Sequence, residues 1–449
     1  MTDPRAGSES RSTAVTRRGF VALAGSATLA GCNAFGGDSG DDGPTIDPEA
    51  YADALSTDPP SVAETLPVDV EQSHLDASAE RARQSLSSVP APFDASEIPN
   101  GAIRADLSRR YEGATEELET APDAGSAVET MARLRDARAS ARNVAGAWAA
   151  IDEGLTADDV LATAPGVRDD VDGFRRRWRY VGDDPVRAVL VHAEIEGFVA
   201  FAVRRTRSAV ERSSHESGGP LTVGELAGHV EGARAALDDA EYLFERFAES
   251  LDDSRRIRDG LESAVEQLAG TLDDRRESLP EGDPDDASSF VDRDVEGTPV
   301  ASALTGLTRA FEYADGLDDE RATGQLASAV RSVHETLIRI RAFELLRERV
   351  ANDDHVTVES ADDVRTIRER AFEAVESSVE SDPLTRRFLS EIGSDFAYTE
   401  DRLAGYADDD EISAAWLDRD LGRYVLIAAL ARATPGVSEG VADVVRRTV

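Results

Sequence analysis

A run of basic and aromatic side chains near the middle of the chain has the composition of a ligand-contacting surface. It consists of Arg175, Arg176, Arg177, Trp178, Arg179 and Tyr180 in direct succession. Guanidinium groups pair with carboxylates and phosphates, and aromatic faces stack on bases, so this run can face an acidic ligand or stack a base. Arginines on a helix also pair with acids one turn away, and three precede the run: Asp169, Asp170 and Asp172. Both interpretations stay open.

The histidines are the other candidates for chemistry: His74, His192, His215, His229, His334 and His355. Glu71-x-x-His74 has the spacing of a carboxylate-bridged metal helix, but such a site needs a second Glu-x-x-His, and Glu225 and His229 are one residue too far apart. His192 and His334 lie in strongly apolar segments, where a hydrogen-bonded core histidine is usual. As a functional pair they would have to converge across two units.

The sequence shows no nucleophile elbow, phosphate-binding loop or zinc-protease motif. We therefore predict no catalytic residue, no metal ligand and no cofactor. The candidates for ligand contact are Arg175, Arg176, Arg177, Trp178, Tyr180, His192 and His334.

The first thirty-two residues have the layout of an export signal. A basic region is followed by a short apolar stretch and then by small residues, which is the signal-peptide pattern, and the stretch is too short to span a bilayer. Arg17 and Arg18, followed by Phe20, resemble a twin-arginine translocation signal. The sequence Leu29-Ala30-Gly31-Cys32 resembles a lipobox, whose cysteine becomes the lipidated first residue of the mature protein. A buried core cysteine is the alternative for Cys32.

The composition is strongly acidic. The formal net charge is −40, and all 49 basic residues are arginine. A charge of this size opposes compaction in dilute buffer, whereas molar salt shortens the screening length to ~3 Å. The composition resembles that of proteins from salt-loving archaea, so together with the N-terminal motifs the chain resembles a haloarchaeal twin-arginine-exported lipoprotein. Binding of nucleic acid by charge is disfavoured.

The rest of the chain is predicted to be all-α. Apolar residues recur at helical spacing from about residue 62, and Asp184-Pro185, Thr222-x-x-Glu225, Ser360-x-x-Asp363 and Asp382-Pro383 are typical helix starts. The sequence has no run of alternating apolar residues with hairpin turns, so a sheet-based fold is not expected. We expect antiparallel helical-bundle units in tandem.

Self-comparison suggests an internal repeat. The opening at Leu66-Pro67-Val68 aligns with Leu221-Thr222-Val223 and with Val356-Thr357-Val358, and the segment 191–201 aligns with 333–343. Similar composition of alanine- and arginine-rich helices is the alternative explanation. The predicted organisation is a signal peptide at 1–31, a flexible Gly/Asp/Pro linker at 32–60, helical units at 61–215 and 216–355, and a partial third unit at 356–449.

These features predict an exported protein held at the extracellular side of the cell membrane by a lipid. Its expected partners are the membrane, the twin-arginine export machinery and an unknown envelope protein or solute. The favoured function is a non-enzymatic binding or envelope-interaction module. The alternatives are a solute-binding lipoprotein for a transporter and a metal-dependent enzyme.

Overall fold

The structure is a computed structural model that describes residues 44–213, 219–312, 316–379, 381–407, 409 and 411–449. The predictions made for Arg17, Arg18, Phe20, Leu29, Ala30, Gly31 and Cys32 lie outside these residues, as does the alternative of a buried Cys32. His215 also lies outside them.

Helices account for most of the described chain, which confirms the all-α prediction. Their bounds are α1 Pro48–Ala54, α2 Gln72–Ser87, α3 Gly101–Thr120, α4 Ala127–Asp152, α5 Ala157–Leu161, α6 Ala164–Arg177, α7 Pro185–Ser213, α8 Pro220–Glu249, α9 Arg258–Glu277, α10 Pro299–Glu312, α11 Gly316–Thr323, α12 Leu326–Ala351, α13 Ala361–Val379, α14 Pro383–Ala404 and α15 Ala414–Thr448. Short 3-10 turns lie at Ala121–Asp123 and Ala287–Phe290.

Two small antiparallel ladders join segments that are distant in the chain. Strand β1 (Thr45–Ile46) pairs with β4 (Ile412–Ser413), and β2 (Val181–Gly182) pairs with β3 (Arg255–Arg256). Each strand has only two residues, so the ladders hold loop segments together but do not form a larger sheet.

The predicted helix starts are correct at three of the four places. Helix α7 begins at Pro185 and α14 at Pro383, each directly after an aspartate that accepts backbone N–H groups of the first turn. Asp363 accepts the N–H of Ser360 before α13. The start at Thr222 is wrong, because α8 begins at Pro220, where proline is favoured in the first turn.

The three aligned openings differ in local structure. Leu66-Pro67-Val68 and Val356-Thr357-Val358 are non-helical segments that precede α2 and α13. Leu221-Thr222-Val223 lies inside α8 instead. The segments aligned around His192 and His334 both lie within long helices, α7 and α12.

Helices α4 and α8 approach each other more closely than ordinary side chains permit. A β-carbon at Gly224 would lie 2.4 Å from the Asn143 carbonyl oxygen, and one at Gly228 would lie 2.8 Å from the Ala139 carbonyl oxygen. Glycine is therefore required on this face of α8, since no larger residue fits without moving a backbone. The close contact helps to bury Val144, which is fully inaccessible.

The segment before α2 is more structured than predicted. We expected residues 32–60 to form a flexible linker, but β1 and α1 lie within this range and pack on the C-terminal half of the chain. Tyr51 is buried and its hydroxyl donates to the Leu403 carbonyl oxygen at 2.9 Å. The buried guanidinium of Arg368 binds the carbonyl oxygens of Ala54 and Thr57 at 2.5 and 2.9 Å. These contacts replace solvent for the end of α1, so the segment is held as an N-terminal arm.

Helix α15 is the core element of the C-terminal half. It has 35 residues and packs against α9, α10, α12, α13 and α14. Among the described helices it alone has the length and apolar composition to cross a membrane, and 56% of its most apolar window is buried inside the fold.

Candidate functional site

A pocket of about 510 Å³ opens where β2, β3 and the turn between α11 and α12 meet. Its volume falls within the ~300–1,000 Å³ range of small-molecule sites. It is lined by Arg175, Trp178, Arg179, Tyr180, Glu196, Val199, Arg256, Arg258, Asp259, Thr323, Gly324 and Gln325.

The rim of this pocket is cationic although the whole chain is strongly anionic. Four exposed arginines contribute to it: Arg175, Arg179, Arg256 and Arg258. Arg175 lies 4.0 Å from Asp172, and Arg258 pairs with Glu262 at 3.0 Å. Within the described ranges Arg256 has no ion pair. A guanidinium group has five N–H donors, so each of these groups keeps donors for a ligand.

The end of α6 positions the basic and aromatic run Arg175–Tyr180. Val167, Val171 and Phe174 form the buried face of this helix, and the arginines of its last turn favour the helix C-terminus electrostatically. The chain becomes extended at Trp178, whose ring stacks over Phe174 with centroids 6.0 Å apart. Trp178 and Tyr180 are thereby turned toward the pocket.

Tyr180 and Glu196 form the polar floor of the pocket and complete the first turn of α12. Glu196, on α7, is 1% exposed and accepts the backbone N–H groups of Ala327 and Ser328 at 3.1 and 2.6 Å. The Tyr180 hydroxyl accepts the N–H of Leu326 at 3.3 Å. The first N–H groups of a helix have no partners within the helix, and Gln325 at the N-cap provides no side-chain bond. Side chains from outside α12 therefore cap it.

The hydrogen bonds of Tyr180 favour a protonated Glu196. The phenol oxygen lies 2.5 Å from Glu196 Oε1 and 2.8 Å from the carbonyl oxygen of Gly324, where a positive φ of 74° turns the chain. One phenolic proton serves only one of these two oxygens. A proton on Glu196 supplies the second bond, and burial raises the pKa of Glu196 toward this neutral form. The floor is then polar and uncharged.

His192 supports the pocket wall from behind. Trp178 Nε1 donates to its Nδ1 at 3.1 Å, so the ring proton lies on Nε2, which is 2.9 Å from the Val181 carbonyl oxygen. The ring is fully buried, and burial lowers the pKa of His192 to about 4. His192 thus positions the segment from Trp178 to Val181 and does not line the pocket.

The other predicted ligand-contact residues lie elsewhere. Arg176 is exposed outside the pocket lining, and Arg177 pairs with Glu241 at 2.5 Å. His334 is buried between α12 and α15, with its Nε2 2.8 Å from Ser438 Oγ. The structure therefore brings Arg175, Trp178 and Tyr180 together in the pocket and leaves Arg176, Arg177 and His334 away from it.

The histidine weighed for metal binding has other partners. His74 Nε2 lies 2.9 Å from Asp239 Oδ1, and the imidazole stacks on Tyr242 with ring centroids 3.9 Å apart. Across the described part of the chain, no group of three or more His, Cys, Asp or Glu side chains is placed to hold a metal ion.

Sequence reasoning missed most of the residues that line the pocket. Arg256 and Arg258 belong to a second basic run, Arg255-Arg256-Ile257-Arg258, which stands out between acidic residues and is the signal that was available. Glu196 lies within the strongly apolar segment 191–201, and its charge there is the signal that was available. Gly324 and Gln325 have no sequence signal, because only tertiary packing brings their turn to Tyr180.

Comparison with protein families divides the chain into two tandem segments. Residues 73–253 match a family described as a domain of unknown function (DUF8262), and residues 258–443 match another such family (DUF8264). The two matches fit a two-unit repeat, while the boundaries predicted at residues 215–216 and 355–356 and the shorter third unit stay predictions. No curated protein and no solved structure matches the chain.

The pocket draws on both matched segments. Arg175 to Val199 lie in the first segment, Arg258, Asp259 and residues 323–325 lie in the second, and Arg256 lies in the short connection between them. A molecule bound in the pocket would contact both halves of the chain.

Proposed function

We propose that this protein is a lipid-anchored, extracytoplasmic binding module without enzymatic activity, and that the pocket at Arg175–Tyr180 is its ligand site. The observation that carries the binding role is the arginine-rimmed pocket built from both matched segments. Small-molecule sites commonly lie between domains and combine a concave surface with a few convergent polar groups.

The resemblance of the N-terminus to a twin-arginine signal with a lipobox supports the location. In this proposal the chain folds in cytoplasmic salt, crosses the membrane folded, and stays attached through a lipid on Cys32. The N-terminal arm then joins the tether to the C-terminal half, because β1 pairs with β4 and Arg368 holds the end of α1. The acidic body is repelled by anionic lipid, which leaves the lipid as the attachment.

The bonding of the titratable groups at the pocket supports a binding role over an enzymatic one. Glu196 is occupied in capping α12, and both nitrogens of His192 have partners. Burial also raises the pKa of the Tyr180 hydroxyl well above its usual range, which disfavours the phenolate. A general base needs an available lone pair and a pKa near the working pH.

A solute-binding lipoprotein that serves a transporter is the second candidate. The position of the pocket across both matched segments favours it, because a ligand there can bias how the two halves pack. A gene deletion that slows uptake of the bound solute would distinguish this role from binding without transport.

The binding role is tested on protein purified from native cells in molar KCl, with small molecules extracted after denaturation and identified by mass spectrometry. We expect at least one solute to be enriched with the wild type and with Arg177→Ala, whose side chain pairs outside the pocket. The solute should be depleted from the double variant Arg256→Ala/Arg258→Ala. Identical extracts from all three proteins would contradict the proposal.

A further inference from the structure

We infer that the pocket selects a small organic polyanion, a phosphate ester or a polycarboxylate, whose oxyanion groups bind Arg175, Arg179, Arg256 and Arg258. This inference rests on the proposed binding function and adds the chemical class of the ligand. Guanidinium groups bind carboxylates and phosphates through paired hydrogen bonds, which makes them suited to both oxyanions.

The charge balance of the lining points to an anion. The lining combines four arginines with two acids, Asp259 on the rim and Glu196 on the floor. Beside the pocket, Glu262 and Asp172 partly offset Arg258 and Arg175, while Arg179 and Arg256 have no ion pair within the described ranges. The hydrogen bonds of Tyr180 are satisfied when Glu196 is protonated, so the floor offsets little of the positive charge. The pocket is therefore cationic in a protein with a net charge of −40. A cleft lined by charge of one sign raises the local concentration of counter-ions, which here are anions.

The volume of the pocket points to an organic molecule. A free phosphate would fill only a small part of about 510 Å³. Trp178 and Val199 supply apolar surface beside the arginines, and Arg258 lies over the Tyr180 ring, 5.7 Å from its centroid. A carbon skeleton can pack on this surface while its oxyanion groups reach the rim.

Molar salt explains why the ligand must carry more than one negative charge to bind selectively. At about 1 M salt the screening length is ~3 Å, so attraction over longer distances is lost and only direct contacts discriminate. A monovalent anion engages one arginine and competes with abundant chloride. A polyanion engages two or more arginines at once, and the second contact forms at high effective concentration.

Calorimetric titration of the full-length wild-type protein in molar KCl tests this inference, with citrate, pyrophosphate and glucose 6-phosphate as probes and acetate and glucose as controls. We expect saturable binding of citrate or of glucose 6-phosphate, tighter than any binding of the inorganic pyrophosphate, and no binding of acetate or glucose. Binding of citrate alone or of the phosphates alone identifies which oxyanion is preferred. The loss of one charged contact should weaken binding by ~10-fold or more in Arg256→Ala and in Arg258→Ala.

Arg177→Ala is the matched control, because Arg177 adjoins the pocket-lining run but pairs with Glu241. It should bind like the wild type, and circular dichroism should show that all variants are folded, since the replaced arginines are exposed. If none of the polyanions binds, or if Arg177→Ala weakens binding as much as Arg256→Ala, the inference is wrong. A neutral solute recovered from native protein would overturn the ligand class while leaving the binding module intact.

Discussion

Replacing Glu196 with alanine should destabilise the protein by about 3 kcal/mol. The substitution leaves the N–H groups of Ala327 and Ser328 without an acceptor and removes one of the two oxygen partners of the Tyr180 hydroxyl. A buried polar group left unpaired costs ~1–3 kcal/mol. Because water from the pocket can reach this position, we take ~1 kcal/mol for each N–H group and add ~1 kcal/mol for the space left by the side chain.

Glu196→Gln keeps part of the cap but cannot ionise. Ala327 binds Oε1 and Ser328 binds Oε2, so the single carbonyl oxygen of glutamine accepts only one of the two α12 N–H groups, and the variant should be less stable than the wild type by ~1–2 kcal/mol near neutral pH. Burial raises the pKa of Glu196 in the folded protein above its unfolded value, so stability falls as the pH rises through the folded pKa. Glu196→Gln does not titrate, and it should therefore gain on the wild type with increasing pH.

The measurement is equilibrium unfolding by urea in molar KCl, followed by far-ultraviolet circular dichroism, over a range of pH. Glu80→Ala is the control, since Glu80 is exposed on α2 and its removal should change stability by less than ~0.5 kcal/mol. The reasoning is refuted if Glu196→Ala behaves like Glu80→Ala, or if Glu196→Gln is as unstable as Glu196→Ala.

Four further predictions concern other parts of the molecule. Cys32→Ser should move the protein from the membrane fraction to the soluble fraction of cells, and continued membrane association after a salt wash would disprove the lipid anchor. Arg368→Ala should destabilise the fold by ~3 kcal/mol or more and expose residues 44–57 to limited proteolysis, because a buried Arg–Glu pair and the cap of α1 are lost together. Gly224→Ala should destabilise the protein by ~2 kcal/mol, because the new methyl group meets the backbone of α4. The control Gly270→Ala on α9 has open space around the new methyl group and should stabilise the protein by ~0.5–1 kcal/mol. Equal unfolding midpoints for the two variants would contradict the close packing of α4 and α8. Burial lowers the pKa of His334 from 6.5 to about 4. The neutral imidazole therefore contributes stability that is lost as the pH falls from 6.5 to about 4, by up to ~3 kcal/mol. His334→Gln does not titrate, so a pH series of urea unfolding curves should show a smaller loss of stability in acid than the wild type shows.

The sequence could predict the parts of the fold that depend on local interactions. Helical spacing of apolar residues indicated the fold class, and aspartates before Pro185 and Pro383 marked where α7 and α14 begin, because a cap acts within one turn. The N-terminal arm escaped prediction. Its Gly- and Asp-rich approach has a linker composition, and the contacts that order it come from residues more than 300 positions away.

The same distinction between local and long-range interactions applies to the candidate site. The sequence by itself determined that one stretch, Arg175–Tyr180, has groups suited to an anionic ligand, since side-chain chemistry is fixed by residue type. Only the tertiary structure decided which of these groups share a pocket. The last turn of α6 directs Arg177 to Glu241, while Arg256, Arg258 and Gln325 reach the pocket from distant parts of the chain. The direction in which each side chain points, and the residues it meets, follow from how the helices pack. Packing depends on the complementarity of whole surfaces, which no local sequence pattern encodes.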